Sequence, residues 1–597
     1  LEEALRVMGG MDDRAAQARL LELIAENKLN LGKPDQAQVY RLQAQQLRAE
    51  GPTEDSLSVR VKLRTGQLDE AQRILENWAE AERDQVHAPR AHRETTLILS
   101  LIHALRGRSN EALTLAHEGI ALGQRLNSPF VTAVAHTRLA HALQLRREKH
   151  DEALRNYQLS IALGDQIAVR RIRAEAMWGL TRAHGFFGDL PAAQQTADEG
   201  REICQAVGDV WVGALVEVTL GASLVLADRP ADALEVLTRA LSLFRDCGDS
   251  FGRAAARLWL SLAYFQLKHF DSFTPSVEAL LDLCETHQYE FLFAAPTLLG
   301  PPDPRRLVPM LIEARNRRCH PAYVSRVLTG LGLPDIDVHP GYQLRVQTLG
   351  AFRAWRGDTE IAPREWLRDK ARQLFQLLLT HRTRWLQRDE IADRLWPALT
   401  PEAAARDFKV ALNALNKAIE PHRSGDTTFA FVMREGTAYR LRPEADVWLD
   451  AIEFDKACEL GLRTSDLLQL RSALRLYRGD YLPDALYEDW ASEERERLLS
   501  LYLRAADKLA GLLIERGEYD EALDICQAIL ARDACWERAY RLAMTAHARQ
   551  GNRPLALRAF QRCTTTLRDE LGVEPSAATT ALYRQIAQSD DAPAATL

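Results

Sequence analysis

The chain has 597 residues, 46% of them hydrophobic and 27% charged, with a formal net charge of −7 at pH 7. That length exceeds what a single hydrophobic core organises, so several domains are expected in an otherwise ordinary globular composition. The acidic balance argues against a protein that coats nucleic acid along its whole surface, and no apolar run reaches the roughly 20 residues of a membrane span. Eight scattered cysteines without a Cys-x-x-Cys pair indicate reduced thiols in a cytoplasmic protein, not disulfides or a zinc site.

A six-residue phrase recurs through the first half of the chain. It runs from a glycine or polar residue to an alanine, as in GQLDEA (66–71) and GRSNEA (107–112). The closing alanines are Ala37, Ala71, Ala112, Ala153, Ala193 and Ala233. The phrase predicts a helix that ends at a left-handed glycine, a tight turn, and the acidic first turn of a second helix, with the alanine allowing close helix contact. Pairs of this kind stack on their neighbours into a superhelix.

From Leu1 to Tyr289 this pattern resembles tetratricopeptide repeats in the form found in MalT-like regulators. The resemblance implies either a scaffold or a surface on which an unknown signal or partner protein docks. In MalT-like regulators a nucleotide-hydrolysing switch domain precedes the repeats. Because the chain begins at Leu1 without an initiator Met, we expect that domain to have been removed or to be absent from this chain. The repeat domain is predicted over residues 1–333, followed by a proline-containing linker over 334–341.

The pattern then changes to that of a small α+β domain, predicted over residues 342–449. Thr400 is expected to cap the third helix, with Pro401 at its first position. The predicted elements are, in chain order, a strand at Gln343–Thr348 that begins a small sheet, helices at about Asp369–Thr380, Arg388–Trp396 and Pro401–Ile419, and hairpin strands at Phe429–Val432 and Gly436–Leu441. Strands, three helices and a terminal hairpin are the order of a winged helix-turn-helix domain.

This segment is also locally basic, because Tyr342–Arg442 holds 18 Lys and Arg against 12 Asp and Glu. The phrases LRVQTLGAFRAWRG (344–357), DEIADRLWP (389–397) and GTAYRL (436–441) resemble the OmpR-type winged helix of the Streptomyces antibiotic regulatory protein family. The resemblance implies double-stranded DNA as the ligand. It also implies that the loop Pro397–Pro401 meets RNA polymerase.

The third helix is predicted to be the recognition helix, with Phe408, Leu412, Leu415 and Ile419 facing the core. The opposite side is expected to present the DNA-binding residues Arg406, Lys409, Val410, Asn413, Asn416 and Lys417. Long cations reach phosphates or base acceptors, asparagine can pair with adenine, and valine can touch a thymine methyl group. The alternative is an amphipathic helix with a solvated face, because Glu402, Asp407 and Glu420 balance the basic residues.

Secondary DNA contacts are predicted from the wing and from the start of the second helix. The residues concerned are Arg434, Thr437 and Arg440 on the wing, and Arg384 and Trp385 before the second helix. A plain surface role is the alternative for each of them.

The C-terminal part, predicted over residues 450–588, is helical. YRGDYLP (477–483), WASEERERL (490–498) and LRDELGVEPS (567–576) resemble phrases of the bacterial transcriptional activator domain. The repeat phrase returns independently as GEYDEA (517–522) and GNRPLA (551–556), which again predicts stacked helix pairs. The resemblance implies roles in activation and self-association, and residues 589–597 are predicted to be a disordered tail.

The expected fold is therefore mostly α, with a tetratricopeptide-like superhelix, a winged helix and a second helical repeat domain. No phosphate-binding loop, metalloprotease motif or serine-hydrolase motif is present in the sequence, so we predict no enzymatic activity and no cofactor in this chain. The favoured function is a sequence-specific DNA-binding transcription regulator that acts as an activator. The alternative is a repeat scaffold or adaptor whose winged helix mediates contacts between proteins.

Overall fold

The structure is a computed structural model that describes Glu3 and residues 13–48, 55–83, 92–423 and 428–588. It separates into unit 1, Leu1–Gly341, and unit 2, Tyr342–Leu597. No helix within the described ranges is both long and apolar enough to cross a membrane. The predicted tail, 589–597, lies outside the described residues.

Unit 1 is built from helices, and within the described ranges most helices pack side by side with the next one in the chain. Its helices, α1 to α17 in chain order, are Arg14–Asn30, Pro34–Leu47, Ser56–Arg64, Leu68–Arg83, His92–Leu105, Ser109–Arg125, Pro129–Leu143, His150–Gln166, Arg170–Phe186, Leu190–Val207, Val210–Leu226, Pro230–Asp246, Ser250–Gln266, Phe270–His287, Phe291–Ala294, Val308–Asn316 and Pro321–Gly330.

The repeat phrase falls at the turn inside each of the pairs from α1–α2 to α11–α12, as the sequence predicts. Its glycines have positive φ, for example +87° at Gly66 and +92° at Gly188, and Asp228 takes the same left-handed conformation at the sixth phrase. All six closing alanines have no exposed surface. The alanines therefore occupy the points where the two helices of a pair approach most closely, and a larger side chain would push them apart.

Unit 1 also contains contacts between repeats that are far apart in the chain. The Arg64 guanidinium makes two hydrogen bonds of 3.1 Å to the buried Asp209 carboxylate, which also binds Arg171. The two residues that follow Arg64 also contact distant repeats. The Thr65 carbonyl accepts from the Ser250 amide (3.2 Å), and the Gly66 carbonyl accepts from the Tyr289 hydroxyl (2.8 Å). The array thus winds round until its second helix pair contacts the starts of α11 and α13. An open solenoid would have contacts between neighbouring repeats alone.

The end of unit 1 includes the segment 334–341, for which the sequence predicts a linker, and the first part of it packs against the repeat array. Leu333 and Ile336 are buried in the main apolar cluster of the array, and Arg315 donates hydrogen bonds to the Ile336 carbonyl and the Asp337 carboxylate. These contacts fix the first residues of the 334–341 segment to α16. Ile336 adds buried apolar surface, which the linker-like sequence pattern around it does not indicate.

Unit 2 begins with two small sheets and three helices. Its strands, β1 to β7, are Leu344–Gln347, Arg353–Arg356, Thr359–Glu360, Leu386–Gln387, Val432–Glu435, Ala438–Leu441 and Val447–Leu449. The first sheet has the order β3-β2-β1-β7 and the second the order β4-β6-β5. Strands β4 and β7 were not predicted, since each is too short to show alternation and is defined by its pairing, β7 with β1 in parallel and β4 with β6.

The remaining elements of unit 2 are helices. They are α18 to α27, namely Asp369–Thr380, Arg388–Leu395, Pro401–Ile419, Asp450–Thr464, Leu467–Leu476, Asp489–Arg516, Tyr519–Leu530, Glu537–Arg549, Arg553–Leu571 and Ala577–Gln588. The predicted fold class, mostly α with a small winged helix between helical arrays, is confirmed.

The winged helix and the C-terminal helices form a continuous structure within unit 2. Asp450, at the start of α21, is buried and accepts hydrogen bonds from the Thr348 amide, the Thr348 hydroxyl and the Leu349 amide, at 2.8 to 2.9 Å. The buried Tyr481 pairs with Leu349 in an isolated bridge and shares a hydrogen bond of 2.9 Å with the Thr380 hydroxyl. The first sheet is thereby attached to the C-terminal domain through buried polar contacts.

Candidate nucleic-acid interface

The third helix of the winged helix, α20, has the predicted ends and the predicted core face. The Thr400 hydroxyl caps its start by accepting from the Ala403 amide, and Pro401 occupies the first position. Phe408, Leu415 and Ile419 are buried, while Leu412 is half-buried. The helix is amphipathic because one stripe of it packs against α18 and α19.

The opposite face of α20 is exposed and basic. Arg406, Lys409, Asn413 and Lys417 are exposed, and Val410 retains 36% of its surface. Among the described residues, the three cations of this face have no ion pair and no side-chain hydrogen bond. Lys409 and Lys417 are eight residues apart, so they stand about 12 Å from each other along one side of the helix.

The prediction that Asn416 lies on the exposed face is wrong. Asn416 is 7% exposed, and no hydrogen-bond partner within the described chain reaches its side-chain oxygen. Asn416 lies four residues after Leu412, only about 40° further round the helix, so it falls on the edge of the core stripe. Of the six residues predicted for this face, Arg406, Lys409, Val410, Asn413 and Lys417 are exposed and Asn416 is not.

Glu420 is also placed differently from the sequence expectation, which counted it against the basic face. It is buried behind the helix, where its carboxylate accepts from the Ala430 and Phe431 amides at 3.0 to 3.1 Å. Burial raises the pKa of this carboxyl, against the lowering effect of the two amides. Its contacts hold the strand that leads into the wing, and the exposed face is left with Glu402 and the half-buried Asp407 as its acidic residues.

The wing hairpin, β5–β6, lies beside the start of the second helix α19. Arg434 and Thr437 are exposed at its tip, where Arg434 donates to the Gly436 carbonyl (2.7 Å) and Thr437 to the Gln387 side chain (2.9 Å). The Arg440 guanidinium lies 4.5 Å from the centre of the Trp385 ring. The structure thus brings the predicted wing residues and Trp385 together on one edge of the domain.

Arg384 occupies a different electrostatic environment from the cations of α20. It is exposed, but its guanidinium makes hydrogen bonds of 2.6 and 3.2 Å to the Glu390 carboxylate, which also pairs with Arg394. These two arginines lower the pKa of Glu390 through hydrogen bonding and charge. A phosphate at this position would compete with a carboxylate that is already bound.

Two residues that were not predicted from the sequence fix the direction of α20. The Arg356 guanidinium donates to the Ala418 carbonyl (2.7 Å) and pairs with Glu365, and the Tyr342 hydroxyl donates to the Ile419 carbonyl (2.6 Å). Carbonyl groups in the last turn of a helix have no partner within the helix, so these side chains satisfy them. Arg356 lies on β2 and Tyr342 lies two residues before β1, so the first sheet and the residues that lead into it orient the exposed basic face.

The described residues contain no group of three or more His, Cys, Asp or Glu side chains arranged to hold a metal ion. The eight cysteines are free thiols, and all but the half-buried Cys535 are buried. Burial raises the pKa of Cys204 and Cys247 to about 12, since it disfavours the thiolate.

Comparison with known proteins assigns the C-terminal part of unit 2. The family model of the bacterial transcriptional activator domain matches residues 453–587. The chain is 28% identical over 268 residues to the regulatory protein AfsR of Streptomyces coelicolor, an alignment that covers 44% of this chain and 26% of AfsR. It is 28% identical over 263 residues to the regulatory protein DnrI of Streptomyces peucetius, covering 41% of this chain and 93% of DnrI.

A transcriptional regulatory protein of Mycobacterium tuberculosis, MoaR1, is 26% identical over 224 residues, which cover 36% of this chain and 71% of MoaR1. A solved structure of Mycobacterium tuberculosis EmbR with a low-affinity phosphopeptide aligns with a TM-score of 0.36 at 22% identity, covering 42% of this chain and 67% of EmbR. The chain spans about a quarter of the length of the AfsR proteins it matches. The resemblance to the Streptomyces antibiotic regulatory protein family that the sequence predicts is confirmed.

Proposed function

We propose that this chain, as a regulator similar to Streptomyces antibiotic regulatory proteins, binds double-stranded DNA sequence-specifically through the exposed face of α20 and activates transcription. The observation that carries the proposal is the set Arg406, Lys409 and Lys417, three cations that have no acidic partner in the part of the chain that the structure describes, on a helix whose other face is buried. Unpaired cations keep their charge available for phosphates and base acceptors, and neutralised phosphates release counterions on binding.

In this proposal α20 enters the major groove, with Lys409 and Lys417 reaching phosphates or base edges. Asn413 lies between them on the same side, where its amide can pair with adenine, and Val410 offers a small apolar surface for a thymine methyl group. Arg434 and Thr437 on the wing contact the backbone next to the groove. Phosphate contacts position the domain, whereas Asn413 and Val410 contribute sequence preference.

The other proposed contacts follow the resemblance. RNA polymerase meets the loop before α20, in which Leu399 is 42% exposed. The C-terminal helices support activation and self-association, and the repeat array of unit 1 docks a signal or partner. The protein acts in the cytoplasm, catalyses no reaction, and needs no cofactor in this chain.

A salt titration tests the DNA contact. The full-length chain is titrated with fluorescent duplexes from its own promoter region at several salt concentrations, beside the Lys409→Ala/Lys417→Ala variant. We expect the slope of log affinity against log salt to flatten by about 2 in the variant, since each lost phosphate contact removes roughly one unit. The matched control is Arg558→Ala/Arg562→Ala, which removes two exposed cations from α26 and should leave the slope unchanged.

Equal slopes for all three proteins would remove α20 from the DNA interface. Absence of binding even at low salt, with circular dichroism showing a folded chain, would favour the adaptor function, in which the winged helix contacts another protein.

A further inference from the structure

The inner helices of the repeat array are buried on nearly every side. In α11 all residues from Trp211 to Val225 except Gly213 are buried, and α13 is buried to a similar extent. A helix that lined an open groove would keep one exposed face. The interior of the array is therefore filled.

One occupant of that interior is a short piece of the chain itself. Residues Ala295–Pro301, here called the inner segment, follow α15 and belong to no helix or strand. Thr297, Leu298 and Leu299 are 0%, 1% and 3% exposed, and both leucines belong to the main apolar cluster of the array. Pro296 lies against the turn of the third repeat, since a side chain at Gly107 would come within 2.7 Å of its carbonyl oxygen.

Side chains of the repeats hold the inner segment by its main chain. Arg182, on α9, donates from Nη2 to the Thr297 carbonyl (3.0 Å) and from Nε to the Leu298 carbonyl (2.9 Å). Trp259, on α13, donates from Nε1 to the Leu299 carbonyl (2.7 Å). Three successive carbonyls are thus bound by two different repeats. Contacts of this kind bind the peptide backbone itself, whatever its side chains. The bound backbone bends over residues 298–300, where the Gly300 amide donates to the Thr297 hydroxyl (2.8 Å).

The cation in this arrangement has no counter-ion among the described residues. Arg182 is 3% exposed, and its Nη1 donates to the side-chain oxygen (3.0 Å) and the main-chain carbonyl (3.5 Å) of Gln144. Burial without a carboxylate lowers the pKa of Arg182 to about 10. A buried guanidinium is costly unless acceptors surround it, so this position requires carbonyl groups from whatever lies beside it.

We propose that Gln144, Arg182 and Trp259 line a peptide-binding groove, that the inner segment occupies it as an internal ligand, and that a peptide with small and aliphatic side chains competes for the same place in the same bent conformation. The inference rests on the docking role proposed for the repeat array and does not depend on the DNA contact of unit 2. A bound partner would release the inner segment and alter the packing of α16 and α17, which follow it in the chain. The docked state would therefore differ in structure from the free state.

The test uses a fluorescein-labelled peptide of sequence PTLLGP, residues 296–301, and the full-length chain. The inner segment is tethered at high effective concentration, so the wild type should bind the free peptide weakly. Leu298→Gly/Leu299→Gly removes the apolar side chains of the internal ligand and leaves the groove intact. We expect this variant to bind the peptide at least about tenfold more tightly by fluorescence polarisation. The control peptide PTSSGP lacks the aliphatic side chains and should bind neither protein.

Adding Trp259→Phe to that variant keeps an aromatic ring at this position and removes the Nε1 donor, which should weaken peptide binding by about fivefold. A double-glycine variant that is folded by circular dichroism and binds no more tightly than the wild type would overturn the proposal and make the inner segment a fixed part of the core.

Hydrogen exchange of the wild type provides a measurement that needs no substitution. Millimolar PTLLGP should accelerate exchange in peptic fragments that cover residues 295–301, and PTSSGP should not. Unchanged exchange would equally overturn the proposal. DNA affinity measured on the same samples reports on α20 separately, so failure of one proposal is distinguishable from failure of the other.

Discussion

At the scale of single residues, Gly66 and Gly188 occupy equivalent positions in the repeat phrase but have different surroundings. Both have left-handed backbones. A β-carbon at Gly66 would lie 2.4 Å from the Ser250 hydroxyl and 2.6 Å from the Phe251 amide, whereas a β-carbon at Gly188 would meet nothing within 4 Å. The phrase alone explains the backbone conformation. Gly66 must also lack a side chain because a distant repeat packs against it, whereas no neighbour restricts the space at Gly188.

This difference predicts unequal effects of the same substitution. Gly188→Ala should destabilise unit 1 by about 1 kcal/mol, the cost of a side chain in the left-handed region. Gly66→Ala should cost a further 1 to 3 kcal/mol or so, because Phe251 and Ser250 must move. Urea denaturation of the two full-length variants, followed by far-ultraviolet circular dichroism, measures both values. Equal destabilisation would show that the contact between these repeats is not formed in solution.

At the scale of elements, the wing is attached to the end of α20 through Glu420. Glu420→Ala would leave the buried Ala430 and Phe431 amides without acceptors, at a cost of about 1 to 3 kcal/mol each. We expect faster hydrogen exchange over residues 428–441 and weaker DNA binding, with exchange in α20 unchanged. Glu402→Ala, which removes an exposed carboxylate from the same helix, is the matched control and should leave wing exchange as in the wild type.

Most of these elements could be predicted from sequence because their signals are local. Thr400, Pro401 and the spacing of Phe408, Leu415 and Ile419 define α20 to within a residue. Asn416 was misplaced because it lies on the boundary of the stripe, where the neighbouring elements and not the helical period decide burial. The same reasoning applies to β7, a strand of three residues that exists through its pairing with β1.

Contacts between residues that are far apart in the sequence could not be predicted from these local patterns. Nothing in the local pattern around Glu420 distinguishes a buried carboxylate from an exposed one, because its two partner amides lie ten and eleven residues further on. Arg182 and Thr297 are 115 residues apart, and the inner segment shows in the sequence merely as a break in helical periodicity. The candidate basic face was predictable, whereas the residues that orient it, Arg356 and Tyr342, were not.

At the scale of the whole molecule, unit 2 joins its winged helix and its C-terminal helices through Asp450. Asp450→Ala would leave the Thr348 and Leu349 amides and the Thr348 hydroxyl without an acceptor. We expect unit 2 to lose about 2 to 4 kcal/mol of unfolding free energy in urea. Hydrogen exchange over residues 344–349 should rise at the same time. Glu459→Ala, an exposed position on the same helix α21, should change neither quantity.

The contacts of Arg64 with Asp209 and of Tyr289 with Gly66 also constrain how this array can change in evolution. Open solenoids gain and lose repeats readily, because each repeat meets its neighbours alone. Here a duplicated or deleted repeat between Gly66 and Asp209 would shift the distant partners by one repeat, about 40 residues. The two sets of contacting turns would then no longer meet. We therefore expect homologues that retain these pairs to have the same number of helix pairs between them, with length variation confined to the turns.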